Sequence, residues 1–181
     1  MRIIGGKNQR RQIIAPSKLP VRPTTDMAKE ALFNILNNHF DFESISVLDL
    51  FAGTGNISYE FASRGAEEVI AVDINNHCVQ FIKKTADLLA MDRLRAVRAD
   101  TFHFLGFCKV GFDIVFADPP YDFESIYEIP DKVFDAGVVN PSGWLIVEHG
   151  EKPAFENHRF FYEKRRYGKV HFSIFKMPDK Q

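Results

Sequence analysis

The sequence predicts an α/β fold built on a mostly parallel, seven-stranded sheet with helices on both faces. A C-terminal antiparallel hairpin and a small N-terminal β-hairpin extension complete it. Three observations support this. Short apolar runs at 46–51, 68–73, 94–99, 112–117 and 143–148 alternate with helical patterns. Those runs are continuously apolar, as strands buried on both faces are. Residues 159–177 read instead as two strands turning near Tyr167-Gly168, which adds an antiparallel edge.

Each element has a local reason. Arg2-Ile3-Ile4 and Gln12-Ile13-Ile14 are β-prone runs separated by Gly5-Gly6 and a polar loop, hence a hairpin. Residues 16–23 are a proline-punctuated linker. The chain therefore divides into a hairpin and linker, 1–23, and a main domain, 24–181. Thr24-Thr25-Asp26 offers a helix N-cap, and Ala28, Ala31, Leu32, Ile35 and Leu36 follow at helical spacing up to Asn37-Asn38. Gly53-Thr54-Gly55 turns the 46–51 strand into a helix over 56–63. A helix over 75–90 carries Val79, Ile82, Ala86 and Leu89 on one face, and another is expected between 123 and 136.

At 181 residues the chain is long enough for one core without disulfides or metal. No apolar run approaches the roughly 20 residues that span a bilayer. The apolar stretch of MRIIGGKNQRRQ is too short for a signal peptide, so a cytoplasmic location is expected. Cys78 and Cys108 form no CxxC pair, and the histidines show no ligand spacing, so no metal site is expected. Net charge is −1, but it is unevenly spread. Arg2, Lys7, Arg10, Arg11, Lys18 and Arg22 precede the first acid, and Lys164, Arg165, Arg166 and Lys169 form a second cluster. Such a chain can bind phosphate locally despite a neutral total.

Ligands of doubly wound sheets sit beyond the carboxyl ends of the strands. The loop after the first parallel strand is Asp49-Leu50-Phe51-Ala52-Gly53-Thr54-Gly55, whose glycines let backbone approach a ligand. It is not a full dinucleotide fingerprint, because Ser58 stands at the third glycine position. Asp49 repels phosphate and attracts a cation, which suits a ligand carrying an ammonium and a sulfonium. Asp73, with Ile74 after it, ends the second strand about twenty residues beyond the glycines, where an acid accepts hydrogen bonds from a ribose diol. Asp100, followed by Thr101, ends the third strand and can accept from an adenine amino group.

The fourth strand runs into Asp118-Pro119-Pro120-Tyr121. Consecutive prolines fix φ and remove N–H donors, leaving a stiff corner with free carbonyl acceptors beside a carboxylate and an aromatic ring. That combination fits an extruded base: the ring stacks, and the acceptors take both hydrogens of an exocyclic amine. Two such acceptors draw the delocalised nitrogen lone pair toward a tetrahedral, nucleophilic shape, so positioning and charge stabilisation carry the rate.

At these residues the sequence resembles a known family. Residues 51–55, F-A-G-T-G, resemble methyltransferase motif I, and 118–121, D-P-P-Y, resemble the amino-methyltransferase motif IV. R-I-I-G-G at 2–6, R-P-T-T-D at 22–26 with A-L-F-N at 31–34, and Y-G-K-V at 167–170 are similar to the RsmD family, over nearly the whole chain. The resemblance implies a Rossmann-like class I methyltransferase fold. It also implies S-adenosyl-L-methionine as cofactor and methylation of guanine N2 in small-subunit (16S) ribosomal RNA, within a small subunit or its assembly intermediate. It makes Asp118, Pro119, Pro120 and Tyr121 the target-base site. Asp49, Phe51, Gly53 and Gly55 line the cofactor, Asp73 and Ile74 hold its ribose side, and Asp100 and Thr101 meet its adenine. Arg2, Lys7, Arg10 and Arg11 are then candidate RNA contacts, with Arg22 and Thr24 on a segment flanking the active site. Asn56 and Tyr59 depart from the small residues expected after motif I.

Two other functions compete. A DNA adenine-N6 or cytosine-N4 methyltransferase shares D-P-P-Y but needs extra chain to read a groove, and the last strands and one helix use nearly all the residues after Tyr121. A non-catalytic RNA-binding module on the same fold would not need both the acidic rim and the amine corner.

Overall fold

Continuously apolar strands need cover on both faces, and the computed structural model supplies it over the residues it describes, 1–16, 19 and 25–177. The strands are β1 (Ser46–Leu50), β2 (Glu68–Asp73), β3 (Leu94–Arg98), β4 (Phe112–Ala117), β5 (Val139–His149), β6 (Phe161–Tyr167) and β7 (Val170–Lys176). They form one seven-stranded sheet in the order β3-β2-β1-β4-β5-β7-β6. β1 to β5 run parallel, and β7 is antiparallel to both β5 and β6. The order reverses between β1 and β4, so their carboxyl ends bracket the switch point.

Alternation along each strand divides the core in two. Val47, Val69, Ile114 and Ile146 pack under α1 (Asp26–Asn37), α2 (Asn56–Ser63) and α3 (Asn76–Leu88). Leu48, Leu50, Val115 and Leu145 pack under α4 (Thr101–Phe107) and α5 (Ile129–Asp135). Thr25 caps α1, its hydroxyl accepting from Ala28 N at 3.2 Å, as the Thr-Thr-Asp pattern predicts.

Three local expectations change. α4 is an element the apolar periodicity does not reveal, because seven residues are too few to show a stripe. The 123–136 helix divides into a 3-10 turn at Glu124–Glu128 and α5, with Pro130 in the first turn of α5, where its missing N–H is tolerated. β5 begins at Val139 rather than 143. Asn140-Pro141-Ser142, which precedes the expected strand, is absorbed as a bulge, with the register shifting between Phe112 and Ile114 and Ser142 at φ +63.

The N-terminal hairpin closes through one bridge, Arg2 to Gln12, and buries Ile3 and Ile13 against the α1–α2 side. What fixes it there is Glu60 of α2, which is fully buried. Its carboxylate accepts from Ile4 N and Gly5 N, both at 2.8 Å, and from Arg64 Nε at 2.9 Å. Lys29 of α1, also fully buried, lies 3.5 Å away and donates to Arg2 O at 2.6 Å and Asn56 Oδ1 at 2.8 Å. Burial pushes the Lys29 ammonium below its usual range, and Glu60 opposes that shift. One buried ion pair thus ties hairpin, α1 and α2 together.

Breaking such a pair from one side leaves an uncompensated buried charge. Glu60→Ala is expected to cost about 3–5 kcal/mol, read as a lower urea midpoint, whereas the exposed Glu30→Ala leaves the midpoint within about 0.5 kcal/mol.

Candidate active site

Because β1 to β4 are parallel, the loops that follow them converge on one rim, and there a cavity of about 620 Å³ opens. Asp49, Phe51, Gly53, Asp73, Ile74, Asp100 and Thr101 line it, and so do Asp118, Pro119, Pro120 and Tyr121. The glycine-bearing acidic rim and the Asp-Pro-Pro-Tyr corner therefore share a single pocket.

Asp49 sits on β1 facing α2 and is almost completely buried. The Ser58 hydroxyl donates to its carboxylate, but burial dominates and pushes its pKa up to about 7. Phe51 leaves the strand at φ +60, the left-handed region, and its ring packs edge-on to Phe123 at 5.1 Å. The turn places Gly53 N 2.7 Å from Asp73 Oδ2, to which it donates, while Asn75 N donates to Asp73 Oδ1 at 2.7 Å. Asp73 is thus held in one orientation, and burial raises its pKa against those bonds. Ile74, 65% exposed beside it, offers an apolar wall. Asp100 caps α4, accepting from His103 N at 2.9 Å, and Thr101 is buried just beyond.

On the other side of the pocket, Asp118 N donates to Leu50 O at 3.5 Å, carrying the β1–β4 ladder one residue past the strand. Burial pushes the Asp118 carboxyl well above the usual range, and the negative charges of Glu148 and Asp49 add to that. Pro119 is buried and Pro120 exposed. Tyr121 is 69% exposed, and its ring lies close over Gly150, where an added Cβ would sit 3.3 Å from the ring edge. Among the described residues no Lys or Arg forms an ion pair with Asp49, Asp73 or Asp118. The pocket concentrates carboxylates, whose oxygens can accept from N–H donors and interact with cations.

The model of the family described as "Conserved hypothetical protein 95" matches residues 1–176. The chain belongs to this family. It is the RsmD family of methyltransferases, and the fold is that of the class I enzymes. The Bacillus subtilis protein YlbH is 31% identical, over 97% of this chain and 98% of its own length. The Escherichia coli protein named "Ribosomal RNA small subunit methyltransferase D" is 30% identical over 82% of this chain and 74% of its own. The solved structure of Escherichia coli yhhF superposes with a TM-score of 0.86 at 27% identity, covering 99% of both chains.

Against the family's motifs, one residue has a different task from that expected. Gly55 does not line the cavity. It caps α2 at φ +81, and an added Cβ would meet the Tyr59 ring at 2.8 Å and Ile82 at 2.9 Å. The glycine keeps clear of packed core side chains. Tyr59 is fully buried beneath it and does not line the pocket, whereas Asn56 is on the pocket wall and accepts from Lys29. Phe104 is core and Phe102 packs on Phe123, so those rings serve packing, while Phe107 stays half exposed. Sequence patterns do not single out Asn75, Cys78 and Phe123, which also line the pocket. Phe123 stands two residues beyond Tyr121, and that proximity is the signal that could have found it. Cys78 reaches the pocket only because the start of α3 faces the rim, and burial pushes its thiol up to about 11.

The basic N-terminal residues do not stay together. Arg2 pairs with Asp26 at 3.5 Å, near the start of α1. The hairpin turn instead sits at the far end of α2: Lys7 N donates to Ser63 O, and Asn8 bonds Ser63 Oγ and Leu89 O. An eight-residue helix is about 12 Å long, so Lys7 lies about that far from the start of α2, while Arg10 N donates to Ile3 O, closer to Glu60. Arg22 and Thr24 fall outside the described residues.

A side chain at position 55 must displace packed core atoms in a left-handed backbone. Gly55→Ala is expected to destabilise the fold by about 1–3 kcal/mol, measured by thermal or urea unfolding without ligand. Gly137→Ala, also at positive φ but with open space around its Cβ, carries only the backbone strain and is expected to cost less.

Proposed function

We propose that this protein transfers a methyl group from S-adenosyl-L-methionine to the exocyclic N2 of a guanine in small-subunit (16S) ribosomal RNA, as part of small-subunit maturation. The observation that carries the reading is the shared pocket: an acidic, partly apolar chamber on the β1–β3 side opens directly onto the Asp-Pro-Pro-Tyr corner of β4. The relatives named for small-subunit ribosomal RNA methylation support RNA rather than DNA as the acceptor.

The residues present fit the cofactor. The cavity volume lies in the range of small-molecule sites. Asp49 would hold the cationic methionine end, and Asp73 retains lone pairs for a ribose diol beyond its two backbone bonds. Ile74 would flank the adenine, and Asp100 would accept from its amine with Thr101 beside it. When bound, the cofactor supplies an electrophilic methyl carbon on a sulfonium.

The protein's own groups act on the acceptor. The Tyr121 ring, open to solvent, stacks on the extruded base. Asp118 and the Pro119 carbonyl accept the two amine hydrogens, holding the nitrogen lone pair toward the cofactor side. As the nitrogen is alkylated it becomes acidic, and the raised proton affinity of Asp118 makes it a ready recipient of the released proton. The same burial means that Asp118 must be ionised to accept both ways, so activity falls on the acid side.

Incubating the protein with labelled cofactor and unmodified small subunits, free 16S RNA or duplex DNA, then mapping the product, tests the reading. Label on guanine N2 of 16S RNA supports it, and label on adenine N6 or cytosine N4 of DNA overturns it. Asp118→Ala is expected to reduce turnover at least 100-fold, on the order of removing an acid–base or oxyanion-type interaction, with cofactor affinity within about threefold by calorimetry.

Asp49 gives a pH dependence with a definite sign. Burial pushes its pKa up to about 7, so below that the carboxylate is mostly protonated and attracts a cation less. Cofactor affinity is therefore expected to rise several-fold between about pH 6 and about pH 8, and Asp49→Asn to bind weakly with that rise abolished.

A further inference from the structure

The second basic cluster, on the C-terminal hairpin, takes no part in the chemistry of the pocket. An edge strand rich in Lys and Arg has an ordinary purpose, which is to prevent edge-to-edge pairing. β6 is the sheet edge, and that purpose accounts for part of the cluster. Lys164 pairs with Glu156, and Arg165 pairs with Glu163 at 2.7 Å. Arg159, just before β6, pairs with Asp135 at 3.5 Å.

Arg166 and Lys169 differ. Both are exposed, and among the described residues neither has an acidic partner. They stand at the hairpin tip, a two-residue turn that starts with Gly168 at φ +63. Arg166 Nε donates to Gly168 O at 3.2 Å, which folds the guanidinium over the turn.

The register fixes the height of that tip. Ala117 of β4 pairs with Val147 of β5, so Pro119 comes level with His149. His149 pairs with His171 of β7, and His171 pairs with Arg166 of β6. Arg166 therefore sits on the catalytic rim at the height of Pro119, three strand spacings away, or about 14 Å. The ring of Tyr121 over Gly150 continues the active site in that direction. On the opposite side of the corner the rim carries Asp49, Asp73 and Asp100, which repel phosphate.

We propose that the tip of the β6–β7 hairpin, through Arg166 and Lys169, grips the RNA backbone next to the target nucleotide, so that the acceptor strand lies over β5 and β7. This rests on RNA being the acceptor. Two exposed cationic sites among the described residues stand on that rim. Arg98, at the end of β3 beside Asp73 and Ile74, lies on the carboxylate side, whereas the tip lies on the Asp118 side. Lys7 sits at the other end of α2. Phosphate recognised at the tip positions the base, and the corner then selects its amine.

The test compares the full chain with the double variant Arg166→Ala/Lys169→Ala. RNA binding is followed by anisotropy over a salt series on an unmodified 16S fragment that wild type methylates. On a single strand, each phosphate that a side chain no longer neutralises lowers the salt slope by about 0.7, so the slope of the double variant is expected to be shallower by about 1.4. KM for RNA should rise while kcat and cofactor affinity hold. Arg166→Lys/Lys169→Arg keeps the charges and should keep the slope. Arg95→Ala, an exposed cation on the far edge strand β3, should leave KM unchanged. A double variant with the wild-type slope and KM, in a protein that still methylates RNA, overturns the tip assignment alone. A wild type that neither binds nor methylates any RNA overturns the functional reading beneath it.

Discussion

The hydrogen-bonded parallel pairing of β1 with β4 is the constraint on which the site depends. Leu50 stands opposite Ala117, and the next backbone bond runs from Asp118 N to Leu50 O. Neighbouring strands lie about 4.8 Å apart, so the glycine loop and the Pro-Pro corner must open side by side on one rim. Had either strand run antiparallel, its loop would have emerged at the other end of the sheet. The cavity lined by residues from Asp73 to the exposed Tyr121 opens where those two loops meet.

The cost of the arrangement is electrostatic. Asp49, Asp118 and Glu148 end up close together and mostly out of water, with no cation on the protein to offset them at Asp49 or Asp118 among the described residues. Desolvation raises the proton affinity of both aspartates. A pocket poised in this way gains most from a ligand that brings positive charge to Asp49 and N–H donors to Asp118. The fold contrasts this site with Lys29 and Glu60, where a similar burial is answered internally by opposite charges and backbone donors. One cluster holds the molecule together, and the other is left for a partner.

Charge also organises the exterior. The carboxylates at the ends of β1 to β3 and the cations Arg166 and Lys169 at the β6–β7 turn lie on either side of the Asp118 corner. Under the proposed function, a cationic cofactor and an RNA strand would approach that corner from its two sides. Among the described N-terminal cations, Arg2 stands near the start of α1 and Lys7 at the far end of α2.

The sequence alone determined the strand–helix alternation, the glycine loop, the three strand-end acids and the Pro-Pro corner. These depend on local backbone preferences and on which residues can tolerate burial on two faces, both written in short stretches of chain. Tertiary structure decided the rest. Gly55 leaves room for the packed side chains of Tyr59 and Ile82, four and twenty-seven residues away. α4 is too short to announce itself by period and is stabilised by the sheet and α5 instead. Cys78 joins the pocket, and Lys7 is carried away from it, because helix direction rather than residue type sets which end of the sheet a side chain reaches. Arg166 looks the same in sequence as Arg165. Only the register across β5, β7 and β6 raises it to the height of the active site, since strand pairing is a long-range property that no local pattern encodes.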